Sequence, residues 1–370
     1  MTEFGGWSLP VRFSSTREEH AAVREHAGVF DIGHMGVVTL RGRRAPEFLQ
    51  LVLTNDLNRL SRTGKVLYSC MCRHDGGILD DLLVYENFEE GMLLVVNGAT
   101  TQGDLEWLWS IIQERDYDPL DLSLAHRTDL SMMALQGPKA VELLQQFVSC
   151  DLRRLRYYNG MAVRLRGKTL ACGLGPAILS RTGYTGEDGF EIIAPADMIA
   201  QLWDQLTEAG AIACGLAARD ILRLEMGYCL YGQDITTETT PLQAGLGWIV
   251  SFKKPEAFIG REALEREEAD GPTRRRVGLV LEERGVPRHG YSIRCEGQAV
   301  GEVTSGTFSP RLDTGIAMGY VETAIAEARP PVAIEVRSRS LPARIVDMPF
   351  YHPPKPASAS KKPSKPQPCS

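Results

Sequence analysis

A glycine pair, an apolar run and two acidic residues meet in Gly76-Gly77-Ile78-Leu79-Asp80-Asp81-Leu82-Leu83-Val84-Tyr85. The glycines allow a tight turn, and the run after them is typical of a β-strand. Residues 92–97 predict a second strand after the polar loop 86–91, and the apolar spacing at residues 102–114 then predicts a helix. Helices and strands are mixed in this way through residues 1–271, which predicts an α+β fold.

Side chains alternate along a strand, so Asp80 and Asp81 must point to opposite faces. Whichever face is buried therefore carries a carboxylate, and burying an unpaired carboxylate is costly. The buried aspartate is thus paired, protonated or functional. Hydrogen bonding to the backbone of the preceding turn is the structural alternative, and chemistry alone leaves both interpretations open.

Two further segments carry candidate binding residues. Glu191 follows a glycine-rich turn at residues 183–189 and falls in a predicted strand, where a carboxylate can bind a ring amine and its neighbouring N–H as a fork. A salt bridge is the structural alternative. Arg219 and Arg223 lie one turn apart in a helix predicted at residues 214–226. Two cations on one helical face suit a carboxylate ligand, although pairing with acidic residues of the fold is the simpler interpretation.

The pattern changes after about residue 272, where short β-rich runs separated by turns replace helical spacing. Such a series predicts a small β-barrel or sandwich. The predicted organisation is a folded region of two α+β subdomains at 1–271, a barrel at 272–352, and a disordered Pro/Ser/Lys-rich tail at 353–370. The six predicted strands are residues 276–281, 291–294, 299–304, 316–321, 332–336 and 343–346.

Composition excludes several classes of function. The 370 residues carry a formal net charge of −6, which argues against nucleic-acid binding. There is no apolar run of membrane-spanning length and no secretory or transit signal, so the predicted location is cytoplasmic. The eight cysteines are scattered, and no histidine pair has metal-site spacing, so no metal is predicted. An acidic monomer is the predicted assembly.

Taken together, these segments resemble the aminomethyltransferase family, of which the T-protein of the glycine cleavage system is the example. The resemblance runs in order through nearly the whole chain. Its motifs include Phe4-Gly5-Gly6-Trp7, Gly28-Val29-Phe30-Asp31, His34-Met35, Thr54-Asn55-Asp56, Gly76-Gly77-Ile78-Leu79-Asp80-Asp81, Val95-Val96-Asn97, Gly183-Tyr184-Thr185-Gly186-Glu187-Asp188-Gly189, Ala218-Arg219-Asp220, Leu230-Tyr231-Gly232 and Thr304-Ser305-Gly306.

The resemblance implies a multi-subdomain fold with ferredoxin-like subdomains around a folate cleft, followed by a β-barrel. It implies transfer of an aminomethyl carbon from the lipoyl arm of H-protein to tetrahydrofolate. By motif, Asp80 is the catalytic carboxylate, and Glu191 would grip the pteridine edge of folate. Arg219 falls at the family's other folate-binding position. The resemblance places four more residues along the cleft: Tyr184, Met35, Tyr68 and Asn97.

Relatives with this fold suggest two alternatives: folate-dependent demethylation or methyl transfer, and assistance in iron–sulfur cluster assembly. Cys229 matches a cysteine of the assembly branch, but the Lys-Gly that precedes it there is absent. A non-enzymatic folate-binding module is a third alternative. The chain also departs from the family pattern at Gly33, where serine is usual, and near Tyr351, where a C-terminal contact with folate is left open.

Overall fold

The computed structural model describes residues 1–60, 64–88, 91–167, 173–336 and 339–353; residues 354–370 of the predicted tail lie outside this range. Most helices begin close to the positions that apolar spacing predicts. In chain order they are α1 Thr16–Glu25, α2 Ala45–Val52, α3 Thr101–Glu114, α4 Ala140–Leu144, α5 Ala196–Glu208, α6 Leu216–Glu225, α7 Arg261–Asp270 and α8 Thr323–Ala328.

The strands of the described residues fall into a short hairpin, two sheets and a barrel. In chain order they are β1 Thr2–Phe4, β2 Trp7–Leu9, β3 Gly28–Asp31, β4 Gly36–Arg41, β5 Val66–Cys72, β6 Ile78–Phe88, β7 Gly91–Val96, β8 Ser123–His126, β9 Leu130–Gln136, β10 Gly160–Arg166, β11 Gly173–Ser180, β12 Gly189–Pro195, β13 Ile212–Cys214, β14 Arg274–Leu281, β15 Ser292–Cys295, β16 Gln298–Ser309, β17 Thr314–Glu322, β18 Val332–Val336 and β19 Arg339–Val346.

Two sheets of the N-terminal region share a core. One has the strand order β5-β6-β7-β4-β8, and the other has the order β10-β11-β12-β9-β3-β13. Alternation along β7 sends Leu94 into a core with helices α2 and α3, whereas Leu93 enters a core shared with the second sheet. Phe30 and Met132 of the second sheet lie in that shared core. Both faces of the first sheet are therefore covered, so β6 carries an aspartate toward each of two packed layers.

The last six strands close into a barrel with the order β14-β17-β16-β15-β18-β19. All six predicted strands are present, and the inward-facing aliphatic side chains of the barrel form their own core. The short helix α8 was not predicted. The predicted α+β fold and C-terminal barrel are confirmed, whereas the domain limits at 271 and 352 stay predictions. No helix in the described ranges is long and apolar enough to cross a membrane.

Two predicted helices are shorter than expected. The helix predicted at residues 139–148 ends at Leu144 and continues as the 3₁₀ turn Gln145–Phe147. Gln145 causes the change, because its Oε1 accepts a hydrogen bond from Leu152 N (2.9 Å) and its Nε2 donates to Cys150 O (2.7 Å). The helix predicted at residues 214–226 begins at Leu216, since Cys214 pairs with β3 as part of β13.

Candidate functional site

Two adjacent acidic residues of β6 and an asparagine that follows β7 form one hydrogen-bonded group. Asn97 N donates to Asp80 Oδ2 (3.0 Å), and Asn97 Nδ2 donates to Asp80 Oδ1 (2.8 Å). The same Nδ2 donates to Asp81 Oδ1 (2.9 Å). Because β6 and β7 are paired neighbours, the residue after β7 reaches both aspartates. A single side-chain amide thus holds two carboxylates that leave the strand on opposite faces.

Burial changes the acidity of both aspartates. Asp80 is 0% exposed, whereas Asp81 is half-buried. Burial raises the pKa of Asp80 well above its ordinary value, the charges of Asp104 and Asp81 raise it further, and the hydrogen bonds from Asn97 oppose the rise. Burial also raises the pKa of Asp81, against hydrogen bonds from Tyr68 and Asn97. A carboxyl group with a raised pKa is suited to take up and return a proton.

A third carboxylate, Asp104 of α3, lies beside this group, and sequence reasoning missed it. Asp104 is 4% exposed. Burial raises its pKa to about 7, and hydrogen bonding to Asp80 and Thr100 limits the rise. Asp104 occupies the first turn of its helix, where acidic residues are common because they face the positive end of the helix dipole. Its position in the sequence therefore does not distinguish Asp104 from an ordinary surface acid.

A contact path leads from the surface to the carboxylates. The hydroxyl of Tyr68 donates to Asp81 Oδ2 (2.7 Å). The Tyr68 ring lies 5.8 Å from the ring of Trp248, whose side chain is 62% exposed. The predicted cleft residue Tyr68 is therefore placed between an accessible aromatic ring and the carboxylate pair.

Glu191 lies in β12 and is almost fully buried. Its Oε2 accepts a hydrogen bond from Thr182 Oγ1 (2.5 Å). Burial raises the pKa of Glu191, while the Thr182 hydrogen bond and the Arg219 charge lower it. Among the described residues no Lys or Arg lies within ion-pairing distance of Glu191, so the salt bridge that was its structural alternative is absent there.

Arg219 of α6 is half-buried, and its guanidinium faces an aromatic ring instead of an acid. Its guanidinium carbon lies 4.7 Å from the centre of the Tyr184 ring. Burial lowers the pKa of Arg219, whereas the charges of Tyr184 and Glu191 raise it. Within the described ranges no carboxylate reaches ion-pairing distance of this guanidinium. A half-buried cation without an acidic partner among the described residues is suited to an anionic or strongly accepting ligand.

Asp81 of the carboxylate group and Arg219 lie close enough to Tyr184 to influence its pKa. Burial raises the pKa of Tyr184, the charge of Asp81 raises it further and the charge of Arg219 lowers it. Met35 packs in the core shared by the two sheets. Beside it, burial and the Arg219 charge lower the pKa of His34 to about 4, so this imidazole is neutral at physiological pH. The structure therefore brings Arg219 close to Tyr184 and His34, and Tyr184 close to Asp81.

The sequence matches the family profile described as "GCVT N-terminal domain" over residues 1–254. It also matches the profile described as "Glycine cleavage T-protein C-terminal barrel domain" over residues 274–352. The chain belongs to the aminomethyltransferase family. Members of this family are tetrahydrofolate-dependent one-carbon transferases, and the chain is accordingly an enzyme of this class.

Similar proteins cover the chain almost completely. The aminomethyltransferase of Symbiobacterium thermophilum is 45% identical over 96% of this chain and 94% of its own length. The aminomethyltransferase of Geobacillus kaustophilus is 44% identical over 94% of each chain. The crystal structure of glycine cleavage system aminomethyltransferase T from Bartonella henselae has a TM-score of 0.84 and 34% identity, with coverage of 95% of this chain and 94% of that one. The predicted family and its fold are confirmed.

In this aminomethyltransferase, the second arginine of α6 has a structural role. Arg223 is 1% exposed, and its Nη1 donates to Asp234 Oδ2 (2.6 Å) while its Nε donates to Asp220 Oδ1 (2.8 Å). Its Nη2 donates to Ser305 Oγ (2.8 Å) in barrel strand β16. The possibility that both arginines bind one ligand is therefore not supported, because Arg223 is committed to the contact between α6 and the barrel.

Glu225, the last residue of α6, fixes the same end of the helix. Arg24 Nη2 donates to Glu225 Oε2 (2.6 Å), and Ser309 Oγ donates to Glu225 Oε1 (2.6 Å). Tyr351, whose contact with folate was left open, has its backbone N bonded to Glu225 O (3.0 Å) and its ring under the Arg24 guanidinium (4.3 Å). These contacts hold α6, and with it Arg219, between α1 and the barrel.

The described residues contain no group of three His, Cys, Asp or Glu side chains arranged to hold a metal ion. The expectation that the enzyme needs no metal stays a prediction. The cytoplasmic location, the monomeric state and the lack of nucleic-acid binding also stay predictions.

Proposed function

We propose that this enzyme transfers the aminomethyl carbon from the lipoyl arm of H-protein to tetrahydrofolate, giving 5,10-methylenetetrahydrofolate, ammonia and dihydrolipoyl H-protein. The observation that carries the proposal is the carboxylate group Asp80–Asn97–Asp81 beside a buried Glu191 and an unpaired Arg219, in a chain of the aminomethyltransferase family. The carboxylate group Asp80–Asn97–Asp81 is suited to proton movement. Glu191 is suited to recognition of a polar ring, and Arg219 to recognition of an anion.

The atoms of the reaction require two proton movements. The transferred carbon forms bonds to two folate nitrogens, N5 and N10, and loses its bonds to sulfur and to the amine nitrogen. Each folate nitrogen loses a proton, and the released sulfur and amine each gain one. In the proposal Asp80, with its raised pKa, takes up and returns a proton during these steps. Asn97 fixes the direction of the carboxylate through two hydrogen bonds.

Glu191 and Arg219 are the proposed folate-binding residues. An ionised Glu191 can accept hydrogen bonds from the pteridine amine and its neighbouring N–H, and the positive charge of Arg219 favours that ionised form. Arg219 can bind a folate carboxylate in a bidentate manner. Tyr184, Met35, Tyr68 and Asn97 are proposed to line the cleft.

Replacing Glu191 with glutamine or Arg219 with methionine weakens tetrahydrofolate binding by roughly 10- to 100-fold, because each change removes a charge-assisted hydrogen bond in a desolvated site. Titration of the purified variants with tetrahydrofolate measures the change in Kd. The matched control is Arg43→Met, since Arg43 is an exposed arginine whose ion pair with Asp121 lies at the surface. Wild-type Kd values in both site variants would contradict this assignment.

The cluster-assembly alternative is weakened by the place of Cys229. Its side chain is 6% exposed within an apolar cluster. Burial raises the pKa of Cys229 to about 12, so the thiol stays protonated and unreactive at neutral pH. No contact in the described part of the chain favours a methyl donor over an aminomethyl donor. The assay must therefore distinguish demethylation from aminomethyl transfer.

The proposal is tested by turnover. Aminomethylated H-protein and tetrahydrofolate are the substrates, and ammonia and 5,10-methylenetetrahydrofolate are followed together. Sarcosine and dimethylglycine, as methyl donors, replace H-protein in the parallel assay. Product from the methyl donors alone would assign the enzyme to the demethylating relatives.

A further inference from the structure

Three carboxylates meet in the buried group around Asp80, and few donors face them. Asn97 supplies its backbone N–H and its side-chain amide to Asp80 and Asp81, and Tyr68 supplies its hydroxyl to Asp81. Within the described residues no Lys or Arg forms an ion pair with Asp80, Asp81 or Asp104. The negative charge of the group is therefore not balanced by a fixed cation.

Asp104 is the member of this group with a buried oxygen that has no partner among the described residues. Its Oδ2 is fully buried and has no hydrogen-bond partner among the described residues. The Asp104 carboxyl group also lies within hydrogen-bonding reach of Asp80. Two carboxyl groups can form a hydrogen bond only if one of them carries a proton, because an ionised carboxylate has no donor. A proton held between Asp80 and Asp104 supplies a donor between these two carboxyl groups, in addition to the donors from Asn97 to Asp80 and from Thr100 to Asp104.

The structure points to a positioning residue that neither the family assignment nor the proposed roles include. We propose that Asp104 shares one proton with Asp80, and that this shared proton keeps Asp80 oriented and lets the pair pass a proton on during the transfer. The inference rests on the proposed function for its catalytic consequence. When a folate nitrogen loses its proton to Asp80, the pair returns one proton to the departing amine, so its own proton count is unchanged at the end of the cycle.

Other polar groups of the described residues lie close to the pair. Thr100 precedes α3 and is a hydrogen-bonding partner of Asp104. Cys70 comes from β5, and Tyr231, from the segment after α6, feels the charges of both aspartates. Asp81 adds a like charge. Burial raises the pKa of Asp81, Cys70 and Tyr231, which favours their neutral, protonated forms. Carboxyl, thiol and phenol groups are never cations, so none of these three can replace the shared proton by a positive charge.

The test compares Asp104→Asn, which keeps a donor at every pH, with Asp104→Leu, which has none. The matched control is Glu106→Gln, since Glu106 is an exposed acid on the same helix. We expect Asp104→Leu to lower kcat by at least about tenfold with little change in KM for tetrahydrofolate. We expect wild-type kcat to decline as pH rises through about 7, where the shared proton is lost. Asp104→Asn recovers part of the activity lost in Asp104→Leu and lacks this decline.

A second measurement separates this inference from the proposed function, because it needs no turnover. The pKa of Asp104 is raised on folding, so the folded state binds more protons than the unfolded chain between about pH 4 and pH 7. The resulting stabilisation is complete below the unfolded pKa and is lost as pH rises through about 7. The urea midpoint of the wild type therefore falls over this range more steeply than that of Asp104→Asn.

Equal pH slopes of the urea midpoint in the wild type and Asp104→Asn would overturn the shared proton, whatever the turnover assay shows. A flatter slope in Asp104→Asn, together with an unchanged alkaline decline of kcat in that variant, would overturn the catalytic consequence. A flatter pH slope of the urea midpoint in Asp104→Asn, together with loss of the alkaline decline of kcat in that variant, supports both the shared proton and its catalytic consequence.

Discussion

Asp80→Asn lowers kcat of the transferase by about 10²- to 10⁴-fold, the range expected when a general acid–base group is removed. The amide has the size of the carboxyl group, but it cannot take up a proton in the pH range of the assay. The substitution also replaces one acceptor oxygen by a donor, so one of the two hydrogen bonds from Asn97 is lost. Steady-state turnover with tetrahydrofolate in excess measures the effect, and folate titration shows that the acceptor still binds.

The informative comparison is Asp81→Asn. Both aspartates are held by Asn97, but Asp80 is fully buried and Asp81 is half-buried and bonded to Tyr68. A loss of turnover in Asp80→Asn with a smaller loss in Asp81→Asn supports the assignment of Asp80. A larger loss of turnover in Asp81→Asn than in Asp80→Asn would assign the catalytic role to Asp81. Asp81 is the aspartate that contacts Tyr68, which in turn lies beside the exposed Trp248. Urea midpoints of both variants identify any loss that comes from misfolding.

Asp234→Ala destabilises the protein by about 3–5 kcal/mol, because it leaves the buried Arg223 without its main partner. Asp234 is 0% exposed, and its Oδ2 accepts hydrogen bonds from Arg223 Nη1 (2.6 Å), Leu230 N (2.9 Å) and Ser305 Oγ (2.9 Å). Thr304 Oγ1 donates to its other oxygen (2.5 Å). One carboxylate therefore joins α6, the segment after it and the barrel. Urea unfolding measures the free energy.

The matched control is Asp121→Ala, which removes the partner of the exposed Arg43 and is expected to leave the free energy of unfolding unchanged within error. Because Arg219 lies one turn before Arg223, Asp234→Ala should also weaken folate binding when the protein is kept folded at low temperature. An unfolding free energy equal to that of the wild type would contradict the structural role of this network.

The barrel was predictable because its strands are short, separated by turns, and specified by local composition. The end of α4 was not, since it depends on the side chain of Gln145 bonding across the following turn. The start of α6 depends on pairing between β13 and β3, which are far apart in the chain. Apolar spacing within a segment carries no information about such distant partners.

The candidate site was predictable where an acidic residue interrupts an apolar strand, as at Asp80, Asp81 and Glu191. Spacing could not separate Arg219 from Arg223, because both lie on the same side of one helix. What separates them is Asp234, which pairs with Arg223 alone. Asp104 escaped prediction because its position in the first turn of α3 is ordinary for a surface acid, and only the folded chain shows that it is buried against Asp80.

The most direct test of the central claim is the stoichiometry of the products formed by the wild-type enzyme. Aminomethylated H-protein is mixed with excess tetrahydrofolate, and ammonia, 5,10-methylenetetrahydrofolate and free dihydrolipoyl thiols are counted in the same sample. We expect one ammonia, one 5,10-methylenetetrahydrofolate and one newly released lipoyl thiol for every aminomethyl group consumed, and we expect this turnover to be lost in Asp80→Asn. Tight binding of tetrahydrofolate with no product from this donor would contradict it.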